Sequence, residues 1–291
     1  MLTPWDSIAL SILLVLGQTS PDPAPPTQGA MALWREGQEA MKTGDFPRAL
    51  ASYQASQKVA PWLARTQLSL AATYIQVENP AKAAEHLRKY LELEPSHWQV
   101  RQQLADLLLQ LGHKALARQE FLHHVHAAQS ALESGVQLRA TQKDFVLLVH
   151  GHGRLMELAE DDHNFQAYHL HRGLGLFFLA KSCEQAAISE SIVPVSIGKK
   201  KPESNPGPAP QEILLKSIHE LMETQKQAPS EPRSAWYLHQ AWKEMGQRAL
   251  AEHWLRIALQ SPGSGELHPA EMRHMALAKV GLQMEQRLLR R

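Results

Sequence analysis

The sequence predicts an all-α protein in which helical hairpins stack into a solenoid. Apolar residues recur at helical spacing through most of the chain. Residue types also recur at a fixed step of 34 positions in its first half. No segment alternates apolar and polar residues with the period of two that a strand requires. We therefore expect essentially no β-sheet.

The composition excludes several classes of protein. Of the 291 residues, 44% are hydrophobic, which suits one large core or two modest ones and is too many for a disordered chain. No apolar stretch reaches the ~18–20 residues of a membrane-spanning helix. Lys and Arg total 30 against 29 Asp and Glu, which argues against nucleic acid as a partner. The single cysteine, Cys183, excludes an internal disulfide framework and a cysteine-based zinc site.

The start of the chain has the pattern of a secretory signal. Residues 8–17 form a run of ten apolar or small residues, the length of a signal-peptide core. We predict a signal peptide over 1–17 and a Pro-rich spacer over 18–29. The residues before the run include Asp6 and no Lys or Arg, so an uncleaved tether and a cytoplasmic chain are the alternatives. Export predicts a location in the periplasm or cell envelope, with no transmembrane span after cleavage.

The repeat of 34 residues is carried by small and bulky positions that return in the same order. Small residues stand in the first helix and again in the second, a turn residue lies between them, and a bulky residue follows. The positions that we expect to govern packing are Gly37, Ala71, Ala105, Gly44, Gly112, Ala49, Ala83, Ala117, Tyr53 and Phe121.

The first unit shows the physical sense of this order. Residues 30–43 and 47–59 each carry an apolar stripe at helical spacing. Gly44 supplies the left-handed conformation that ends the first helix. Gly37 and Ala49 allow the two helices to approach closely, and Tyr53 fills the space between neighbouring units. Because one hairpin cannot bury both stripes, the units must stack.

This pattern resembles the tetratricopeptide repeat, and we assign three such units to residues 30–127. The resemblance implies a concave surface, lined by the first helix of each unit, that takes a protein or peptide partner. A variant of the family holds a peptide C-terminus with a Lys and an Asn, and neither residue stands in those slots here. Ser56, Tyr90 and His124 occupy a slot that is usually Ala, so we expect irregular packing around the larger two.

The predicted groove is lined by apolar residues at one end of the groove and by polar residues at the other. Exposed Trp34, Met41 and Leu68 are expected to anchor an apolar side chain of a partner. The alternative is that residues 1–29, or a neighbouring helix, cover this patch. The predicted partner-binding residues are Trp34, Gln38, Met41, Arg65, Leu68, Ala72, Ile75, Gln102, Asp106 and Leu109.

The rest of the chain is less regular. Residues 128–192 read as a degenerate helical hairpin, with helices over 141–160 and 165–189. Residues 193–211 hold five prolines and three consecutive lysines and read as a linker. Residues 212–291 read as a further repeat-like unit and a capping helix over 269–289. We expect the polar residues of that helix to face solvent, namely Glu271, Arg273, Lys279, Gln283 and Glu285.

No catalytic signature, metal motif or cofactor motif stands out. The cluster from Asp161 to His171 lacks the three- or four-residue spacing that places ligands on one face of a helix. We therefore predict no enzyme activity and no cofactor or metal. The first hypothesis is a protein-protein interaction module. The alternatives are a self-associating scaffold that forms a homo-oligomer, and a metal-binding protein or enzyme that uses residues 161–171.

Overall fold

The structure, a computed structural model, describes residues 28–133, 142–192, 209–261 and 269–289. The predicted signal peptide and most of the predicted spacer and linker lie outside these ranges. The described residues form twelve helices: α1 (Gln28–Lys42), α2 (Phe46–Val59), α3 (Ala64–Gln76), α4 (Pro80–Leu93), α5 (Trp98–Gln110), α6 (Lys114–Glu133), α7 (Gln142–Asp161), α8 (Phe165–Ile192), α9 (Pro210–Gln227), α10 (Pro232–Glu244), α11 (Arg248–Gln260) and α12 (Pro269–Leu289).

Every regular element in the described ranges is a helix, which confirms the predicted all-α class. None of these helices has the length and apolarity needed to cross a membrane. Gln28 and Gly29, predicted to end the spacer, belong to α1, and Pro210 and Gln211, predicted to end the linker, belong to α9. The chain divides into two compact units, Met1–His124 and Val125–Arg291.

The first unit consists of successive helical hairpins. Within it α1 packs on α2, α3 on α4, and each hairpin on the next through α2 with α3 and α4 with α5. The start of α6 joins α5 through an ion pair of 2.9 Å between Arg101 and Glu120. Each helix therefore buries one side within its hairpin and another against a neighbour, as stacking units require.

The turns inside these hairpins repeat the same backbone geometry. Gly44, Glu78 and Gly112 all have positive φ, at 76°, 54° and 79°. A left-handed residue ends the first helix and reverses the chain. At the start of the second helix, Asp45 and Asn79 accept hydrogen bonds from the backbone N–H groups of residues 48 and 82. The turn is therefore built at the position the 34-residue step predicts, even where Glu replaces Gly.

The close approach of α1 and α2 depends on Gly37. A Cβ atom at this position would lie 2.5 Å from the Tyr53 ring, a distance that real Cβ atoms do not reach. Tyr53 is itself buried. The other small and bulky positions of the repeat lie equally deep in the core: Ala49, Ala71, Ala83, Ala105, Ala117 and Phe121.

The slot expected to disturb the stacking is buried, and its polar atoms have partners. Ser56 Oγ donates to the Ala30 carbonyl at 2.9 Å. The Tyr90 hydroxyl hydrogen-bonds the His97 ring, and His124 Nδ1 lies 3.0 Å from the Trp98 carbonyl. Because a buried polar atom is costly only when it lacks a partner, these departures from Ala are accommodated.

The second unit consists of helices packed in chain order. Helices α7 and α8 form a long hairpin, α9 packs on α8, α10 on α9 and α11, and α12 on α11. Gly173 lets α9 approach α8, since a Cβ there would lie 2.7 Å from Leu221. Ser217 Oγ donates to the Gly173 carbonyl at 2.7 Å. Phe177, Phe178 and Tyr237 pack edge to face in the interior.

The orientation of α12 differs from the prediction. Glu271, expected to face solvent, is only 1% exposed. Its carboxylate pairs with Arg233 at 3.4 Å and accepts a hydrogen bond from Gln129 at 3.1 Å. Arg273 and Lys279 are exposed as expected. The helix carries apolar residues on two opposite faces. The spacing of the apolar residues alone therefore does not show which face is buried. The large apolar residues that are exposed on this helix, alongside Arg273 and Lys279, are Met272, Leu277, Val280 and Met284.

Gly37→Ala is expected to destabilise the first unit. The higher helix propensity of alanine would stabilise the unit by up to ~1 kcal/mol. The clash with the buried Tyr53 ring overpacks the core, which costs about 1–3 kcal/mol. Thermal or denaturant unfolding measures the net loss. The matched control is Gly29→Ala in the same helix, where a Cβ meets nothing within 4 Å. Equal stability of the two variants would contradict the Gly37–Tyr53 contact.

His86 should make the first unit sensitive to acid. Burial, together with the nearby Lys89, lowers the pKa of His86 to about 4. Its Nδ1 lies 2.9 Å from Gln67 Oε1, and its ring stacks on Tyr74. Because the folded pKa lies below the unfolded value of about 6.5, protonation favours unfolding. The stability contribution is complete above about pH 6.5 and is lost as the pH falls towards 4.

The measurement is the melting temperature between neutral pH and about pH 4. His86→Gln should flatten this dependence relative to the parent chain, while His113→Gln, on an exposed turn, should leave it unchanged. An identical pH profile for His86→Gln and the parent would show that His86 is not protonated on unfolding.

Candidate partner-binding surface

The predicted groove residues stand on α1, α3 and α5, the first helices of the three hairpins. Trp34 on α1 meets α3 directly, because its indole N–H donates to Ser69 Oγ at 2.9 Å. The Arg65 guanidinium lies over the same ring, 5.4 Å from its centroid. This contact between a cation and an aromatic face is favourable. The Trp34 ring is therefore held in place while part of it stays in solvent.

Met41 joins the same surface two helical turns further along α1. Thr73 Oγ1 lies 3.2 Å from the Met41 sulfur and 2.7 Å from the Ser69 carbonyl. Arg65, Ser69 and Thr73 are each four residues apart, so they share one face of α3. Ser69 and Thr73 were absent from the predicted set. Their spacing from Arg65 was the signal that could have identified them.

Ser69 also connects this surface to the packed interior. It is buried, and its hydroxyl donates to the Arg65 carbonyl at 3.0 Å. Burial raises the pKa of the nearby Tyr53 to about 12. Tyr53 in turn packs against Gly37. The Trp34 indole is thus positioned by a buried residue of α3.

The centre of the predicted groove is buried instead of open. Leu68, Ala72 and Ile75 are at most 2% exposed. Leu68 was expected to be an exposed anchor, and its complete burial contradicts that expectation. The physical reason is the position of α3, which has α1, α2 and α4 packed around it. These three residues contribute to the core of the unit.

The remaining predicted residues are partly exposed. Gln38 on α1 is half-buried, as are Gln102, Asp106 and Leu109 on α5. The three α5 residues recur at steps of four and three and so lie along one stripe of the helix. The open part of the predicted surface is therefore a polar stripe on α5 and a cluster formed by Trp34, Met41 and Arg65.

The residues from Asp161 to His171 do not converge on one point. Asp161, Asp162 and His163 lie exposed at the turn between α7 and α8. His169 Nδ1 is 2.7 Å from the Glu220 carboxylate, which Arg172 also contacts. His171 instead lies 3.2 Å from His152. Over the described part of the chain, no three His, Cys, Asp or Glu residues come close enough to hold a metal ion.

Comparison with protein families agrees with the helical hairpins. Residues 64–107, which comprise α3, α4 and most of α5, match the model of the tetratricopeptide repeat. This stretch is a tetratricopeptide repeat. The match and the hairpins around it confirm the predicted resemblance, and they make Arg65, Ser69 and Thr73 residues of the first helix of a repeat. No curated protein matches the chain.

Several solved structures resemble the chain at low identity. MamA from Desulfovibrio magneticus RS-1 is 13% identical, with 81% of this chain and 96% of that one covered and a TM-score of 0.35. PilF from Pseudomonas aeruginosa is 15% identical, with coverages of 82% and 95% and a TM-score of 0.37. YrrB is 13% identical, with coverages of 91% and 98% and a TM-score of 0.31. These TM-scores are low, so the identification rests on the repeat model and the hairpins.

Proposed function

We propose that the chain is a non-catalytic interaction module that binds a protein or peptide through its first three repeats. The repeat fold is generally a scaffold for protein-protein interaction. The observation that carries the proposal is the Trp34 cluster, in which a half-exposed indole is fixed by Ser69 and covered on one face by Arg65. Trp and Arg are the residue types most enriched where binding energy concentrates.

The chemistry of this surface suggests what the partner presents. Trp34 and Met41 offer an apolar contact that is already ordered, so a partner loses little side-chain freedom of this chain on binding. Gln38 and Gln102 offer polar groups that can hydrogen-bond a peptide backbone or polar side chains. We infer a partner segment with an apolar or aromatic side chain for the Trp34 cluster and polar groups for the α5 stripe.

The proposed place of action is the periplasm or cell envelope. The support is the apolar run at residues 8–17 and the Pro-rich residues that follow it. Intact-mass measurement of the chain from its native host tests this part. A mature chain beginning near Gln18 supports export, and a cytoplasmic chain that retains Met1 contradicts it.

Trp34→Ala should remove most of the partner affinity. Loss of an anchoring aromatic residue typically costs about 2 kcal/mol or more, roughly thirtyfold in affinity. The parent chain, used as bait in extract of its native host, should retain a stoichiometric companion that mass spectrometry identifies. Titration of that purified companion then compares the two chains. Circular dichroism checks that the variant is folded.

The matched control is Trp62→Ala. Trp62 is 39% exposed between α2 and α3 and lies outside the Trp34 cluster. Its loss should leave affinity for the companion unchanged. If Trp34→Ala binds as tightly as the parent, the proposed surface is wrong. If the parent retains no companion at all, the proposed function as an interaction module is itself contradicted.

A further inference from the structure

A cleft lies between α10, α11 and α12 in the second unit. Its volume is about 460 Å³, within the range of roughly 300–1,000 Å³ that small-molecule sites occupy. Ala251 and Leu255 of α11 and Ala278 and Gly281 of α12 give it an apolar lining. A Cβ at Gly281 would meet nothing within 4 Å, so the space beside this residue is open. The cleft is therefore large enough to take an apolar ligand out of water.

The charged residues at the edge of the cleft are not balanced. Lys243 of α10 stands there with Arg248 and Glu252 of α11. The Glu252 carboxylate lies 3.0 Å from Arg248 and 3.7 Å from Arg256, so its charge already has partners. Among the described residues no carboxylate pairs with the exposed Lys243. The edge therefore offers an ammonium group to a negatively charged ligand.

His239 adds a polar atom to the cleft and no charge at neutral pH. Its Nδ1 lies 2.8 Å from the Ala251 carbonyl and so carries the proton of the neutral ring. Burial lowers the pKa of His239 and Lys243 lowers it as well, whereas the bond to Ala251 acts in the opposite direction. Two cations and one carboxylate then leave the cleft lining with a single excess positive charge.

We propose that this cleft binds an apolar chain that ends in a single negative charge, as in the carboxylate of a fatty acid. The chain would lie against the apolar lining, and the carboxylate would face Lys243 and Arg248. Burial of the chain supplies the affinity. The ion pair is exposed and contributes little to affinity, but it selects the sign of the headgroup. This site uses residues of the second unit alone and goes beyond the function proposed for the first.

The probes are decanoate, decanol and decyltrimethylammonium, each titrated calorimetrically into the full chain below its micelle concentration. They share one apolar chain and differ in the charge of the headgroup. Decanoate should bind at one site, about threefold more tightly than decanol, since an exposed ion pair adds little more than this. Decyltrimethylammonium should bind more weakly than decanol. Acetate, which lacks the apolar chain, should not bind measurably.

Filling the cleft should remove the site. Gly281→Leu should weaken decanoate binding about tenfold or more, because the new side chain occupies the volume that the ligand needs. The matched control is Gly29→Leu on α1, another glycine at which a Cβ meets nothing within 4 Å. This control should bind decanoate as the parent does. Circular dichroism verifies folding of each variant.

Reversing the charge at the edge should reverse the preference for the headgroup. Lys243→Glu should weaken decanoate binding about tenfold, because an attractive exposed charge becomes a repulsive one, and should leave decanol unaffected. Lys216→Glu on α9 makes the same change in net charge at an exposed position outside the cleft lining, and it should change neither. A merely structural role of Lys243 would alter the binding of both ligands equally.

Three results would each overturn the proposal: no saturable binding of decanoate, equal binding of decanoate and decyltrimethylammonium, or decanoate affinity unchanged by Gly281→Leu. The partner proposed for the Trp34 cluster is tested with different residues and a different ligand. Decanoate binding should accordingly persist in Trp34→Ala, so that failure of one proposal leaves the other standing.

Discussion

The close contact between Gly37 and Tyr53 is the constraint on which the first unit depends. It lets α1 and α2 approach closely, with the Tyr53 ring buried against Gly37. Burial of the same residue raises the pKa of its hydroxyl to about 12. Ser69 of α3 is also buried and accepts the Trp34 indole N–H. The side chain that the surface presents is therefore held by a residue of the packed interior.

Much of this arrangement could be predicted from the sequence, because every stacked unit needs a turn and close helix contacts at equivalent positions. The 34-residue step located the turns, and Glu78 adopts the left-handed conformation there although it is not glycine. The tertiary packing of the neighbouring hairpins outweighs the local cost of that conformation. The small positions were predictable for the same reason, since Gly37 and the alanines of the repeat stand where helices must approach closely.

Other features could not be predicted because they depend on the neighbours of a helix. Leu68 lies on the first helix of a hairpin, at a position that would be exposed if the hairpin stood alone. In the structure α3 has helices on several sides, and they bury Leu68. The polar partners Ser69 and Thr73 are ordinary helix residues until α1 is placed against them. Helix α12 has two apolar faces, and only the presence of Arg233 on α10 shows why Glu271 can point inward.

The buried carboxylate of Glu271 on α12 contacts side chains of two other helices. Its carboxylate has Arg233 of α10 and Gln129 of α6 as partners. Removing one member of a buried ion pair leaves the other charged and desolvated, which typically costs about 3–5 kcal/mol, whereas replacing both with apolar residues can be neutral. Positions 233 and 271 are thus expected to vary together during evolution. Divergent relatives would then differ at both positions or at neither, so paired change at these positions would mark chains in which α12 packs the same way.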